Sequence, residues 1–148
     1  REVPSANWHL TLAFYGDVEG GEADDLAESL AECAAHMMPF TLKLTHFGAF
    51  PNLLRPRVLW VGVEDTDATG GMKSLARCCR RAGRATVRKR SAKEQPFHGH
   101  ITMARARHFP APIAAGAVEE MPEVPAISWQ ARDLRLYRSV LHRDGARY

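Results

Sequence analysis

Two triplets in this sequence carry the same pattern of chemically useful side chains: His9-Leu10-Thr11 and His100-Ile101-Thr102, each followed by a further apolar residue, Leu12 and Met103. On an extended strand, residues two apart lie on one face. Each triplet therefore offers an imidazole and a hydroxyl to one side and sends its apolar members to the other. A single histidine on a half-exposed strand is ordinarily a surface residue bonded to a neighbour. Repetition of the whole pattern makes chemistry the better reading. Two imidazoles, each with an ordinary pKa near 6.5, can serve at neutral pH as one base and one acid. If both faces look into one cleft, one ring takes a proton from an attacking water or hydroxyl while the other gives one to the leaving oxygen. Each such transfer contributes about 10²–10⁴-fold. The threonine hydroxyls can donate to non-bridging phosphoryl oxygens as charge builds on them. Cleavage of a phosphodiester at a ribose needs this pairing and needs no metal.

Histidine is also the commonest metal ligand, and His98 with His100 makes a His-x-His. Two ligands need a third, and no cysteine or carboxylate cluster stands at zinc-like spacing around them. No metal and no cofactor are therefore expected. His36, His46, His108 and His142 join no constellation and read as structural or solvated.

The elements that must hold the triplets follow from hydrophobic periodicity. Asn7 to Tyr15 alternates polar and apolar before Gly16-Asp17 and predicts a strand. Glu22 to Met38 places Leu26, Leu30, Cys33 or Ala34, and Met37 at helical spacing, with Pro39 as the stop. Phe40 to Thr45 alternates again, and Val58 to Val63 is a continuous apolar run of the kind a buried strand shows. Met72, Leu75, Ala76 and Cys79 predict a second helix ending near Gly83. Gly99 to Arg105 is the strand of the second triplet. Pro110 to Pro125 reads as a connector with a short helix around Ile113 to Glu119. Leu134 to Leu141 and Ala146 to Tyr148 flank Asp144-Gly145, a hairpin signal. Each half of the chain thus holds one triplet and one clear helix, which predicts an α+β domain of two related lobes.

With 148 residues the chain is long enough for one domain with a real core and too short for two ordinary ones. Its 45% apolar and 25% charged residues are those of a globular protein. No apolar run approaches the roughly 18–20 residues of a membrane span, so no membrane partner is expected. Three cysteines, Cys33, Cys78 and Cys79, leave an odd count without a CxxC pair. That composition suits a reducing cytosol better than a disulfide scaffold, and Cys78-Cys79 reads as helix packing. The net charge is +3 and the pI near 9.0, which allows an anionic partner. Arg80, Arg81, Arg84, Arg88, Lys89, Arg90 and Lys93 form a basic stretch. It reads either as a solvated helix end and loop or as a phosphate-backbone track for RNA. The first residue is Arg1, and only eight residues precede His9, so an N-terminal piece of the natural protein is expected to be absent.

The paired triplets and their surroundings resemble the 2H phosphoesterase superfamily, and within it the RNA 2′,3′-cyclic phosphodiesterases historically called 2′-5′ RNA ligases. The likeness runs through Asn7-Trp8-His9-Leu10-Thr11-Leu12-Ala13-Phe14 and Gly16-Asp17, then Phe47-Gly48-Ala49-Phe50-Pro51 and Pro56-Arg57-Val58-Leu59-Trp60-Val61-Gly62-Val63. It continues through Phe97 and His100-Ile101-Thr102-Met103-Ala104-Arg105 to Leu136-Tyr137-Arg138-Ser139, Gly145 and Tyr148.

The resemblance implies a bilobal α+β fold with two pseudo-symmetric antiparallel sheets, helices outside and a central cleft. It implies hydrolysis of a 2′,3′-cyclic phosphate at an RNA end to a 2′-phosphate, and a weak, ATP-independent, reversible 2′-5′ joining of RNA such as tRNA halves. By analogy His9 is the general acid towards the leaving oxygen and His100 the general base on water, with Thr11, Thr102 and Arg105 holding the phosphate. Arg105 lies three residues past Thr102, so strict alternation turns it away, and a bulge or strand end must intervene. Phe50, Phe14 and Phe97, with Phe47, are candidates to stack on a terminal base, and Phe50-Pro51 is the favoured one. Two departures stand out: the family usually has proline immediately before the second histidine, where this chain has Gly99, and leucine where it has Tyr15. The family also carries a strand and helix ahead of its first motif. The rival readings are an RNA- or nucleotide-binding module without turnover, and a phosphodiesterase for small cyclic nucleotides. A cytoplasmic monomer is expected.

Overall fold

Leu26, Leu30 and Cys33 recur at helical spacing, and they are the residues that helix α1 (Gly20–Ala35) buries. Its first turn is closed by a capping box, in which the Glu19 N–H donates to Glu22 Oε2 at 3.3 Å. Helix α2 (Gly71–Thr86) buries Met72, Leu75, Ala76, Cys79, Ala82 and Gly83 along one stripe, and runs one turn past the expected end. The computed structural model describes residues 2–53, 56–66, 69–89, 96–106, 121–142 and 145–147. The expected helix at 113–119 lies outside them.

Strands β1 (Phe40–Phe50), β2 (Val58–Asp65), β3 (His100–Arg105) and β4 (Ser128–Ala131) form an antiparallel sheet in the order β3-β2-β1-β4. A separate hairpin pairs β5 (Val140–His142) with β6 (Gly145–Arg147), where Asp144-Gly145 signals it. The strand expected from Leu134 is shorter, starting only at Val140. Strand β4, with its partly buried Trp129, has no counterpart in the sequence reading; four residues are too few for a periodic pattern. The α+β class therefore holds.

The two helices pack on one another and on one face of the sheet. Leu26, Leu30 and Cys33 meet Met72, Leu75, Cys79 and Ala82 over Phe40, Leu42 and Val63. Contrary to the expectation of unpaired cysteines, Cys33 and Cys78 form a disulfide between α1 and α2, and Cys79 alone is a free thiol, buried as expected. Sequence separation of 45 residues hides a pairing that the helix packing brings together. Among the described residues no helix is long and apolar enough to cross a membrane.

The segment predicted as the first strand also differs. Residues Ser5–Asn7 form a 3-10 turn after Pro4, and the chain meets the outer edge of β3 only at the bridges Glu2↔Ala104 and Leu10↔Ile101. The Val3 N–H donates to the Met103 carbonyl at 2.8 Å, and the Trp8 indole donates to the Val3 carbonyl at 2.9 Å. Beyond Leu12 the alternation fails, because Leu12 and the adjacent Ala13 both pack on the core with Tyr15. Neighbours on a regular strand point to opposite faces.

Candidate active site

The bridge Leu10↔Ile101 is antiparallel and joins the middle residues of the two His-x-Thr triplets. Stepping one residue in opposite directions places His9 beside Thr102 and Thr11 beside His100. Leu10 and Ile101 pack towards the helices, so alternation turns both histidines and both threonines to the other face of the sheet. Strand β3 and the N-terminal segment bridged to it, running in opposite directions, thus bring two imidazoles and two hydroxyls to a common surface.

The likeness of the two triplets extends to hydrogen bonding. Nδ1 of His9 lies 2.7 Å from the carbonyl oxygen of Asn7, and Nδ1 of His100 lies 2.7 Å from that of His98. A carbonyl oxygen only accepts, so Nδ1 carries the proton in both rings, and Nε2 is the nitrogen that can exchange protons with a substrate. Both rings are oriented by the backbone two residues earlier, which makes the device part of each motif's own chain path.

The environments of the two histidines differ. His100 lies half-buried against an aromatic wall: Phe50 edge-on at 5.0 Å between ring centroids, Trp60 at 6.0 Å and His98 nearly parallel at 6.1 Å. Burial pushes its pKa below the ordinary imidazole value, the His98 carbonyl bond opposes this, and the positive charges of His98, Arg105 and His9 add to the lowering. His9 instead has Tyr137 as its aromatic neighbour, with centroids 6.4 Å apart.

The expected bulge is present. Trp60 pairs with Thr102 but Leu59 with Ala104, so Met103 is the extra residue on β3. That shift returns Arg105 to the face of His100 and Thr102, within electrostatic reach of the His100 ring. Gly99 fills the place where the family usually has proline. A Cβ there would stand 2.5 Å from the Val63 carbonyl oxygen and 2.8 Å from Met72 Cε, so a close packing of backbone on α2 replaces the proline.

Of the stacking candidates, the fold brings Phe50 to the histidines, in contact with Trp60 at 5.2 Å and His98 at 5.9 Å. Phe14 is 73% exposed. Phe97 is packed against the core cluster with the Arg80 guanidinium 5.6 Å from its ring centre; its surroundings are those of a core residue. Phe47 is half-buried on β1 opposite Val61. Arg80, Arg81 and Arg84 lie on α2, which packs behind the sheet from the His and Thr face; residues 90 and 93 lie outside the described ones.

Three participants escape the sequence reading. Trp60 sits in the apolar run of β2, 6% exposed, and touches His98 edge-on at 4.6 Å. His46 meets its other side at 5.5 Å. Tyr137 stands in the sequence only as part of a C-terminal block. The continuous apolar run of β2 conceals Trp60: alternate members of such a run face opposite sides, and one side here is the site. Among the described residues no group of three or more His, Cys, Asp or Glu is placed to hold a metal ion.

Residues 1–60 match the family model described as LigT like Phosphoesterase. The chain is 36% identical to the RNA 2′,3′-cyclic phosphodiesterase of Aeropyrum pernix, an alignment covering all of this chain and 81% of that protein. It is 33% identical to the protein of that name from Escherichia coli, over all of this chain and 75% of that one. Among solved structures, a protein of Thermus thermophilus superposes with a TM-score of 0.80 at 29% identity, over 100% of this chain and 77% of that one. Escherichia coli LigT complexed with 3′-AMP superposes with a TM-score of 0.65 at 30% identity, over 88% and 66% of the two chains. A chain with these matches and this paired His-x-Thr face belongs to the LigT-like phosphoesterase family, together with the proteins named RNA 2′,3′-cyclic phosphodiesterase.

Proposed function

We propose that this protein hydrolyses 2′,3′-cyclic phosphate ends of RNA to 2′-phosphates without a metal, and the observation that carries the reading is the Leu10↔Ile101 pairing that sets two His-Thr pairs on one face. His100, half-buried and surrounded by positive charge, favours its neutral form and is the base. Its Nε2 takes a proton from water as the water oxygen attacks phosphorus. The P–O3′ bond breaks, and His9 in its protonated form delivers the Nε2 proton to O3′, leaving a 2′-phosphate and a 3′-hydroxyl. Thr11, Thr102 and Arg105 hold the non-bridging oxygens as charge develops. Phe50 offers an aromatic surface beside His100 for the terminal base. One chain carries every group in this scheme, so a monomer suffices, and RNA ends make the cytoplasm the implied compartment.

A solved relative is complexed with 3′-AMP, which keeps mononucleotides in view as an alternative substrate. The test is release of 2′-phosphate from an oligonucleotide with a 2′,3′-cyclic end in the presence of EDTA, run beside a 2′,3′-cyclic mononucleotide. The oligonucleotide is expected to give the higher kcat/KM, and His9→Ala and His100→Ala are each expected to remove nearly all turnover. Wild-type turnover in either variant would exclude the two-histidine scheme, and tight RNA binding without turnover would leave a binding module.

A further inference from the structure

The reaction scheme leaves one ring of the cluster unused. His98 is exposed, lies nearly parallel to His100 with centroids 6.1 Å apart, and is held edge-on against Trp60 and Phe50. Its backbone carbonyl already fixes the His100 tautomer. The side chain is therefore anchored at a set distance from the ring that exchanges a proton with water, on the same short segment. We propose that the His98 side chain is a positioning residue for the reaction, a third imidazole whose charge sets the pH range in which His100 works as the base.

Among the described residues, the charged groups bearing on His100 are all of one sign. His98 and Arg105 approach from its own strand and the segment before it, and His9 from the N-terminal segment. From β1, His46 lies against Trp60. A positive His98 opposes protonation of His100. Two unit charges about 6 Å apart in a water-like medium shift a titration by about half a pH unit. The carbonyl bond belongs to the backbone and survives replacement of the side chain, so substitution isolates the effect of the ring.

The inference rests on the base role given to His100, and its test has a readout outside turnover. The His100 ring is titrated by NMR in wild type, His98→Gln and His98→Lys, and the pH profile of kcat/KM is measured on the cyclic-ended oligonucleotide. His98→Gln is expected to raise the His100 midpoint by about half a pH unit and to move the acid limb of kcat/KM up with it. His98→Lys, which keeps a positive charge, is expected to hold both at or below their wild-type positions. If the His100 midpoint stays put in His98→Gln, or if both variants lose turnover equally at every pH, the inference is overturned. If the midpoint moves but the wild type does not hydrolyse the cyclic end, the coupling of the rings stands and the reaction reading fails.

Discussion

Leu10 and Ile101 are antiparallel partners, and this one pairing decides which group faces which across the site. Because the two triplets run in opposite directions, each histidine is flanked by the threonine of the other motif: His9 by Thr102, and His100 by Thr11. On this register the hydroxyls sit beside the rings rather than behind them. In the proposed reaction each hydroxyl donates to developing charge, so its removal should tell on the rate and not on folding. Thr11→Val and Thr102→Val are near-isosteric changes. Each is expected to lower kcat/KM by roughly 10- to 10³-fold, the upper end being that of a single oxyanion donor, with the melting temperature unchanged. A Thr→Val variant with wild-type kinetics would take that hydroxyl out of the scheme.

The lowered pKa of His100 also makes a prediction for stability. In the unfolded chain this histidine takes a proton near 6.5, whereas in the fold its burial and the neighbouring positive charges hold the proton off until a lower pH. Between the two values the unfolded state binds more protons, so stability rises with pH through that window and is lost as pH falls through it. Urea unfolding at pH 7.5 and 5.5 measures the loss. His100→Gln, which cannot titrate, should lose less than wild type on acidification. An equal loss in both would mean that the burial of this ring carries no weight in the acid response.

The two triplets and the two helices can be read directly from the sequence, because a local period or spacing carries each of them. That a bulge or strand end intervenes before Arg105 can also be inferred once the family resemblance gives Arg105 a role beside Thr102; its place at Met103 comes from the register of β3 on β2. What cannot be read depends on distant partners. Whether residues 7 to 15 make a strand is decided by the edge of β3, which accepts only Leu10 after the 3-10 turn. The Cys33–Cys78 bond depends on how α1 lies on α2. Trp60 becomes a neighbour of the site only through the register of β2 on β3.

The seat of Trp60 has a counterpart in Gly48. The two residues are paired across β1 and β2, and a Cβ at Gly48 would fall onto the indole ring of Trp60. Trp60 cannot retreat easily, since His46 and His98 hold it on both sides. Gly48→Ala is therefore expected to push the indole towards Phe50 and His100. A misplacement of this kind can cost about 10²-fold in turnover, and small-to-large changes in packed interiors cost about 1–3 kcal/mol of stability. Kinetics and denaturation of the one variant check both. Full turnover in Gly48→Ala would show that the aromatic wall does not orient His100.

Gly83 poses the same question in a helix, where its presence costs about 1 kcal/mol relative to alanine. A Cβ at this position would stand 2.5 Å from Cδ1 and Cε1 of Tyr15. The Tyr15 hydroxyl donates to the Cys79 carbonyl at 3.1 Å, which pins the ring flat on α2. Gly83→Ala in the wild type should therefore destabilise by about 1–3 kcal/mol, against the gain in helix propensity. Tyr15→Leu alone gives up the hydrogen bond, about 1 kcal/mol, together with ring packing. In the Tyr15→Leu background, however, Gly83→Ala should be neutral or stabilising, because the obstructing ring is gone and the propensity gain remains. The resulting coupling of about 1–3 kcal/mol is within the range for residues in contact. It is read from urea midpoints at unchanged slope. Stabilisation by Gly83→Ala in the wild type, as for an exposed helix position, would show that Tyr15 is not the reason this helix carries a glycine.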